Sequence, residues 1–388
     1  MDATPDPHLA EAATPIQLPP SAQDSAQNSV HDQHPAKNRV FFGIFGLRAG
    51  WSLLIYLGII ALFISAGIGI SHQIKVEREK AAAITAARTG KPAPPLAPAA
   101  PKPDASKPAP ISAIIISEAV LFSVFFLLSW LMAAIEHRKL LAFGLGGTHS
   151  VGRFLIGAVW GILAISLLVG TLRGFHFLAF DAVLDHGPSI LFWGAVQLFA
   201  FFLVGLTEEY TMRGYLQFTL TRGMVSIGNR ISPRHARTIA FWIASVFTSA
   251  LFLYSHTHNA GENWLGLFQV FLAGILFVVA LWRTGSLWWG IGFHMAWDWG
   301  QSFLYGVPDS GGLMQGRLFS THALGNKLYS GGTVGPEGSV LCIPIFLLVI
   351  LVLLFTHPSP QPSLDLPTAP SPIPDDNRIF ADTPPAIA

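Results

Sequence analysis

Charge is the scarcest feature of this chain. Asp, Glu, Lys and Arg make up 12% of its 388 residues, where roughly a quarter is usual for a soluble domain. A soluble globular protein is excluded on that ground, and 51% hydrophobic residues make an integral membrane protein the reading. The formal net charge of +1 gives no basic excess and argues against a nucleic-acid partner. There is one cysteine, Cys342, so no intrachain disulfide and no thiolate metal cluster can form. It lies in an apolar run and reads as a small packing residue. Residues 1–40 lack the basic start and short apolar core of a signal peptide. Their Pro, Ala, Ser, Gln and Asp content predicts a disordered tail.

What the chain does have is long apolar runs. Trp51–Ile70, Ile111–Ile135, Phe154–Leu172, Ile190 onward, Thr238–Ser255, Trp264–Trp282, Leu287–Leu304 and Val340–Phe355 predict an all-α, polytopic bundle of about eight transmembrane helices. The transmembrane domain is expected over residues 41–355, with a Pro/Ala-rich extended linker at 71–110 inside it and a disordered tail at 356–388. Gly157 and Gly161 are spaced for close packing, although ordinary small-residue packing reads as well there. Residues 173–188 and the Gly-rich stretch Tyr305–Gly338 read as loops. Lys and Arg in the short connections on the terminal side outnumber those opposite, so both termini are expected in the cytoplasm.

Against that background a few ionisable residues stand out, because such groups are costly inside a membrane and mark functional sites by default. The fourth run ends in Glu208-Glu209-Tyr210-Thr211-Met212-Arg213. Adjacent helical residues point about 100° apart, so the two acids cannot share a face. Glu209 and Arg213, spaced i,i+4, suit a structural ion pair. That leaves Glu208 to face a cavity as a general base or acid. Interfacial anchoring at a helix end is the plainer alternative. Phe252 and His256 are also i,i+4, where a histidine reads equally as a polar cap. His294 and Asp298 share one face of the seventh run, where a self-satisfying pair is the bland alternative. Glu118, in the second run, reads mainly as a packing or helix-pairing residue. Convergence on one polar cavity would satisfy the three stretches together. Glu208 and His256 meet only if the fourth helix runs on towards Leu220, placing Glu208 at mid-depth.

EEYTMR, FLYSH and HMAWD, in that order on apolar stretches, match EExxxR, FxxxH and HxxxN/D. The chain thereby resembles the CPBP family of intramembrane proteases, related to type II CAAX prenyl endopeptidases and bacterial Abi proteins, with a core at 190–355. The resemblance implies a membrane-embedded endopeptidase acting on a membrane-associated, prenylated or unprenylated, protein or peptide. A bacterial inner-membrane location is the expectation that follows. It also implies that Glu208 and His256 activate water, that His294 and Asp298 stabilise the oxyanion, and that Arg213 holds Glu209. Position 298 is more often Asn in prenyl-processing members. An ionised Asp cannot donate to an oxyanion, so Asp298 either stays protonated or orients His294. Glu208, His256, His294 and Asp298 would also suit zinc, but a metal-free site is favoured because no compact HExxH helix exists. A non-catalytic membrane scaffold or chaperone and a proton-coupled solute transporter are the competing functions. No internal inverted repeat supports the transporter.

Overall fold

The computed structural model describes residues 40–43, 46–89, 108–147 and 149–357. The expectations for residues 1–39, 90–107 and 358–388 lie outside the described residues. The chain divides near residue 44, and the architecture below is that of the part following it. It is an all-α membrane bundle: α1 (Ala49–Thr89), α2 (Ile111–Ile135), α3 (Ser150–Gly174), α4 (Pro188–Glu209), α5 (Gln217–Ile231), α6 (Ala236–Ser255), α7 (Trp264–Thr284), α8 (Trp288–Trp299) and α9 (Cys342–Thr356). Among the described residues, five helical segments are long and apolar enough to cross a membrane: 111–135, 150–174, 188–231, 233–255 and 264–284. The apolar part of α1 (49–63) and α9 are shorter.

Two expectations are corrected. Residues 71–89, read as extended linker, continue α1 as helix. Their run of Glu, Lys, Arg and Ala consists of strong helix formers, and the first prolines come only beyond Thr89. The stretches read as loops at 173–188 and 305–338 contain two antiparallel strands, β1 (Leu178–Val183) and β2 (Phe319–Ala323). They pair from Leu178 with Ala323 to Val183 with Phe319, with an irregularity between Phe180 and Ala182. Each strand is short and its partner lies far along the chain, so neither carried a local hairpin signal.

The helix carrying Glu208 does run on. Residues 188–231 form a 44-residue helical stretch, roughly 66 Å at 1.5 Å per residue and about twice the hydrocarbon thickness. It breaks within a π turn at Tyr210–Leu216, where Gly214 takes a non-helical ψ of −119°. A second π turn, Gly300–Tyr305, follows α8. The first turn begins directly after Glu208 and Glu209 and the second two residues after Asp298, a common place for this device.

α8 sits at the centre, buried along nearly its whole length, as expected of a helix apolar all round. Glycines let it sit there. A Cβ on Gly157 would lie 2.0 Å from the Trp289 carbonyl oxygen, one on Gly161 2.4 Å from that of Phe293, and one on Gly292 2.0 Å from that of Phe154. The α3 and α8 backbones touch through these positions, which is the close packing that small residues permit. Cys342 is fully buried in the main apolar cluster with Leu276, Phe293 and Trp297.

Candidate active site

Three helices and one π turn deliver the site. α4 ends on Glu208 and Glu209, the π turn supplies Arg213, α6 supplies Phe252 with His256 just past its end, and α8 supplies His294 and Asp298. Glu209 is 1% exposed, and its Oε1 accepts from Arg213 Nη1 at 3.0 Å. The same oxygen faces His294 Nδ1 at 3.2 Å. A carboxylate paired with arginine is ionised, so Nδ1 donates and Nε2 is left for the cavity. Arg213 is fully buried, and its guanidinium lies 4.4 Å from the Phe252 ring centroid and 5.2 Å from that of Phe277. Arginine in that setting is held by charge and by two aromatic faces.

His294 Nε2 points between two further carboxylates, 3.6 Å from Glu208 Oε2 and 3.5 Å from Asp298 Oδ2. Its ring stacks on Phe277 with centroids 5.0 Å apart. Glu208 is the accessible member of the acid pair, its side chain 31% exposed, and it lines a cavity of about 350 Å³. Gly205, one turn earlier, brings α4 against α8: a Cβ there would lie 3.2 Å from the Ile291 carbonyl and 3.4 Å from His294 Cβ.

His256 lines the same cavity without touching His294 or Glu208 in any hydrogen bond. Its Nδ1 lies 2.8 Å from the Phe252 carbonyl, which can only accept. Nδ1 therefore donates, which in a neutral ring leaves the lone pair on Nε2. Zinc would need three or more protein donors around one point. Among the described residues no group of three His, Cys, Asp or Glu side chains has that arrangement.

Sequence reasoning missed several lining residues. Glu118, read as a packing residue, faces the cavity, and its backbone carbonyl accepts from Thr207. Glu262, Gln269, Asp309 and Glu337 line it too. Asp309 and Glu337 come from the connection between α8 and α9, which folds over the cavity. Gly311 N donates to the Val334 carbonyl at 2.9 Å there, and Gln197 reaches the Gln315 carbonyl at 2.9 Å. Gly335 turns that connection at φ +115°, where a Cβ would lie 2.1 Å from the Pro308 carbonyl oxygen. Burial lifts the Asp309 carboxyl well above its ordinary range, and the neighbouring Glu337 adds to the lift. Glu262 is raised as well, again by burial first. Only a Gly-rich composition marked this stretch in the sequence, and composition carries no information about what it covers.

Fold and site together define a class: a polytopic membrane protein with a carboxylate–imidazole centre enclosed by its helices. Residues 190–300 match the family model described as type II CAAX prenyl endopeptidase Rce1-like. Over this segment, which is less than a third of the chain, the protein is similar to the CAAX protease family. The matched segment contains Glu208, Glu209, Arg213, His256, His294 and Asp298. No curated protein and no solved structure matches the chain.

Proposed function

We propose that the protein hydrolyses a peptide bond of a membrane-associated protein or peptide in the cavity between α4, α6 and α8. The observation that carries this reading is the placement of Glu208 Oε2 3.6 Å from His294 Nε2, with Glu209 and Arg213 behind the imidazole. Glu208 takes a proton from water, and His256, lining the same cavity, shares that work through Nε2. The water oxygen attacks the scissile carbonyl carbon. His294, protonated on both ring nitrogens with Nδ1 held by Glu209, stabilises the oxyanion through Nε2–H, passes that proton to the departing amine as the C–N bond breaks, and regains it from Glu208. Asp298 orients His294 rather than meeting the substrate. Arg213 and Phe252 are positioning residues. No step is routed through a metal.

The test uses full-length protein in liposomes with N-terminally lipidated and C-terminally prenylated peptides, the products read by mass spectrometry. Cleavage at a defined bond, absent from His294→Ala, is expected. Intact peptides with both wild type and variant remove the proposal. On the eight-span reading of the sequence, the Lys and Arg imbalance between short connections favours cytoplasmic termini. Labelling of Asp2→Cys in intact cells by an impermeant maleimide contradicts that placement.

A further inference from the structure

The cavity is acidic well beyond what water activation asks of it. Glu118, Glu208, Glu262, Asp298, Asp309 and Glu337 all line it, and among the described residues no lysine or arginine does. Three of these acids, Glu262, Asp309 and Glu337, belong to the connections rather than to the helices that carry the hydrolytic centre.

Asp309 and Glu337 are held close by neutral donors alone. The single amide nitrogen of Gln301 lies 3.2 Å from Asp309 Oδ1 and 3.3 Å from Glu337 Oε2, so the two carboxylates cannot be farther apart than those bonds laid end to end. Ser302 Oγ donates to Asp309 at 3.3 Å, and the backbone N–H of Ser310 donates to Glu337 at 2.5 Å. Two carboxylates in a low-dielectric wall repel, and among the described residues no lysine or arginine pairs with either. A second observation comes from an unrelated side chain. Gln269 lines the same cavity and is 1% exposed. Its amide nitrogen is fixed by the Ser339 carbonyl at 2.6 Å, which leaves Oε1 as a buried acceptor without a partner. Carboxylates lacking a cation and an acceptor lacking a donor both call for a group that is positive and rich in N–H.

We propose that Asp309, Glu337, Glu262 and Gln269 form a subsite for a cationic group of the substrate, a lysine or arginine side chain near the scissile bond. This rests on the endopeptidase reading above. The aromatic wall of Phe277, Phe293, Trp297 and Phe346 would pack the side chain's methylenes while its charged end reaches the acids.

The probes are palmitoylated peptides of otherwise neutral sequence. Lysine or its uncharged analogue norleucine is placed in turn at each position flanking the cleaved bond, and the protein is full-length in nanodiscs. At one position lysine is expected to raise kcat/KM at least tenfold over norleucine. In Asp309→Asn/Glu337→Gln that ratio should fall below threefold, the ratio rather than the absolute rate being the readout. Cleavage with ratios near one at every position, or a lysine preference the double variant leaves intact, overturns the subsite while the protease reading stands. If no peptide is cleaved, the protease reading is what fails, and affinity then decides the subsite. Lysine peptides binding wild type tenfold tighter than norleucine peptides, with the difference lost in the double variant, uphold it. Equal affinities end it.

Discussion

Breaking the ion pair behind His294 should cost far more than removing both of its charges. Glu209 and Arg213 lie 3.0 Å apart, each at most 1% exposed. At an effective dielectric of about 20, unit charges at that separation attract by roughly 5–6 kcal/mol. Removing one partner of such a buried pair costs about 3–5 kcal/mol, because the survivor keeps its charge without compensation. Arg213→Met fills similar space against Phe252 and Phe277 but leaves Glu209 with only His294 Nδ1. The single variant should therefore lose about 3–5 kcal/mol. Glu209→Gln added to it should restore at least about 2 kcal/mol, since an amide needs no counter-ion. Arg213→Lys should fall between wild type and Arg213→Met, keeping the charge but losing the planar fork over two rings. Reversible unfolding in mixed micelles by titration with sodium dodecyl sulfate reads all four proteins. A double variant no more stable than Arg213→Met alone would refute the argument, because the loss would then come from packing and not from a stranded charge.

The remaining expectations concern packing, titration, the second imidazole and metal. Gly161→Val should lower stability by about 1–3 kcal/mol or more and cut cleavage at least tenfold. Its Cβ meets the Phe293 carbonyl at 2.4 Å, whereas Gly170→Ala on the same helix meets nothing within 4 Å and should be harmless; thermal unfolding and peptide cleavage of both check this. Asp309 is held above its usual range by burial and by Glu337. Its contribution to stability is therefore present at low pH and lost as pH rises through its folded-state titration. Lysine preference should change the opposite way and grow with pH. Asp309→Asn should flatten both profiles in paired unfolding and cleavage series, and unchanged slopes would assign the titration elsewhere. His256→Ala should reduce kcat by about 10²–10⁴ with unfolding unaltered, because among the described residues the ring's hydrogen bonds are to Phe252 and Ser255 beside it. Activity should survive exhaustive chelation with metal content verified near zero; loss on chelation and recovery with zinc would bring back the metal reading.

Much of this arrangement could be read from residue order. The split between Glu208 and Glu209 follows from the helical turn alone, and Arg213 falls where i,i+4 spacing puts a partner for the second acid. The shared face of His294 and Asp298 is equally local. The depth problem posed by Glu208 and His256 called for a fourth helix that does not stop at the acids, and α4 continues through its π turn into α5. Other features depend on contacts distant in sequence. β1 and β2 are joined across more than a hundred intervening residues. Asp309 and Glu337 reach the cavity because the connection after α8 folds back over it, and nothing in a Gly-rich stretch says where it lands. Glu118 looked like a packing residue because the composition of α2 does not reveal which side faces α4. Residues 71–89 were misjudged for a different reason: the prolines that follow them coloured the reading of a segment that is itself rich in helix formers.

The account stands or falls on Glu208 as the group that takes the proton from water. The decisive measurement is the single-turnover cleavage rate of Glu208→Gln beside wild type in the same bilayer, with peptide binding and unfolding measured on both. A rate lowered by at least about 10²-fold, with binding and folding unchanged, is expected. Cleavage by the variant at the wild-type rate would contradict the account.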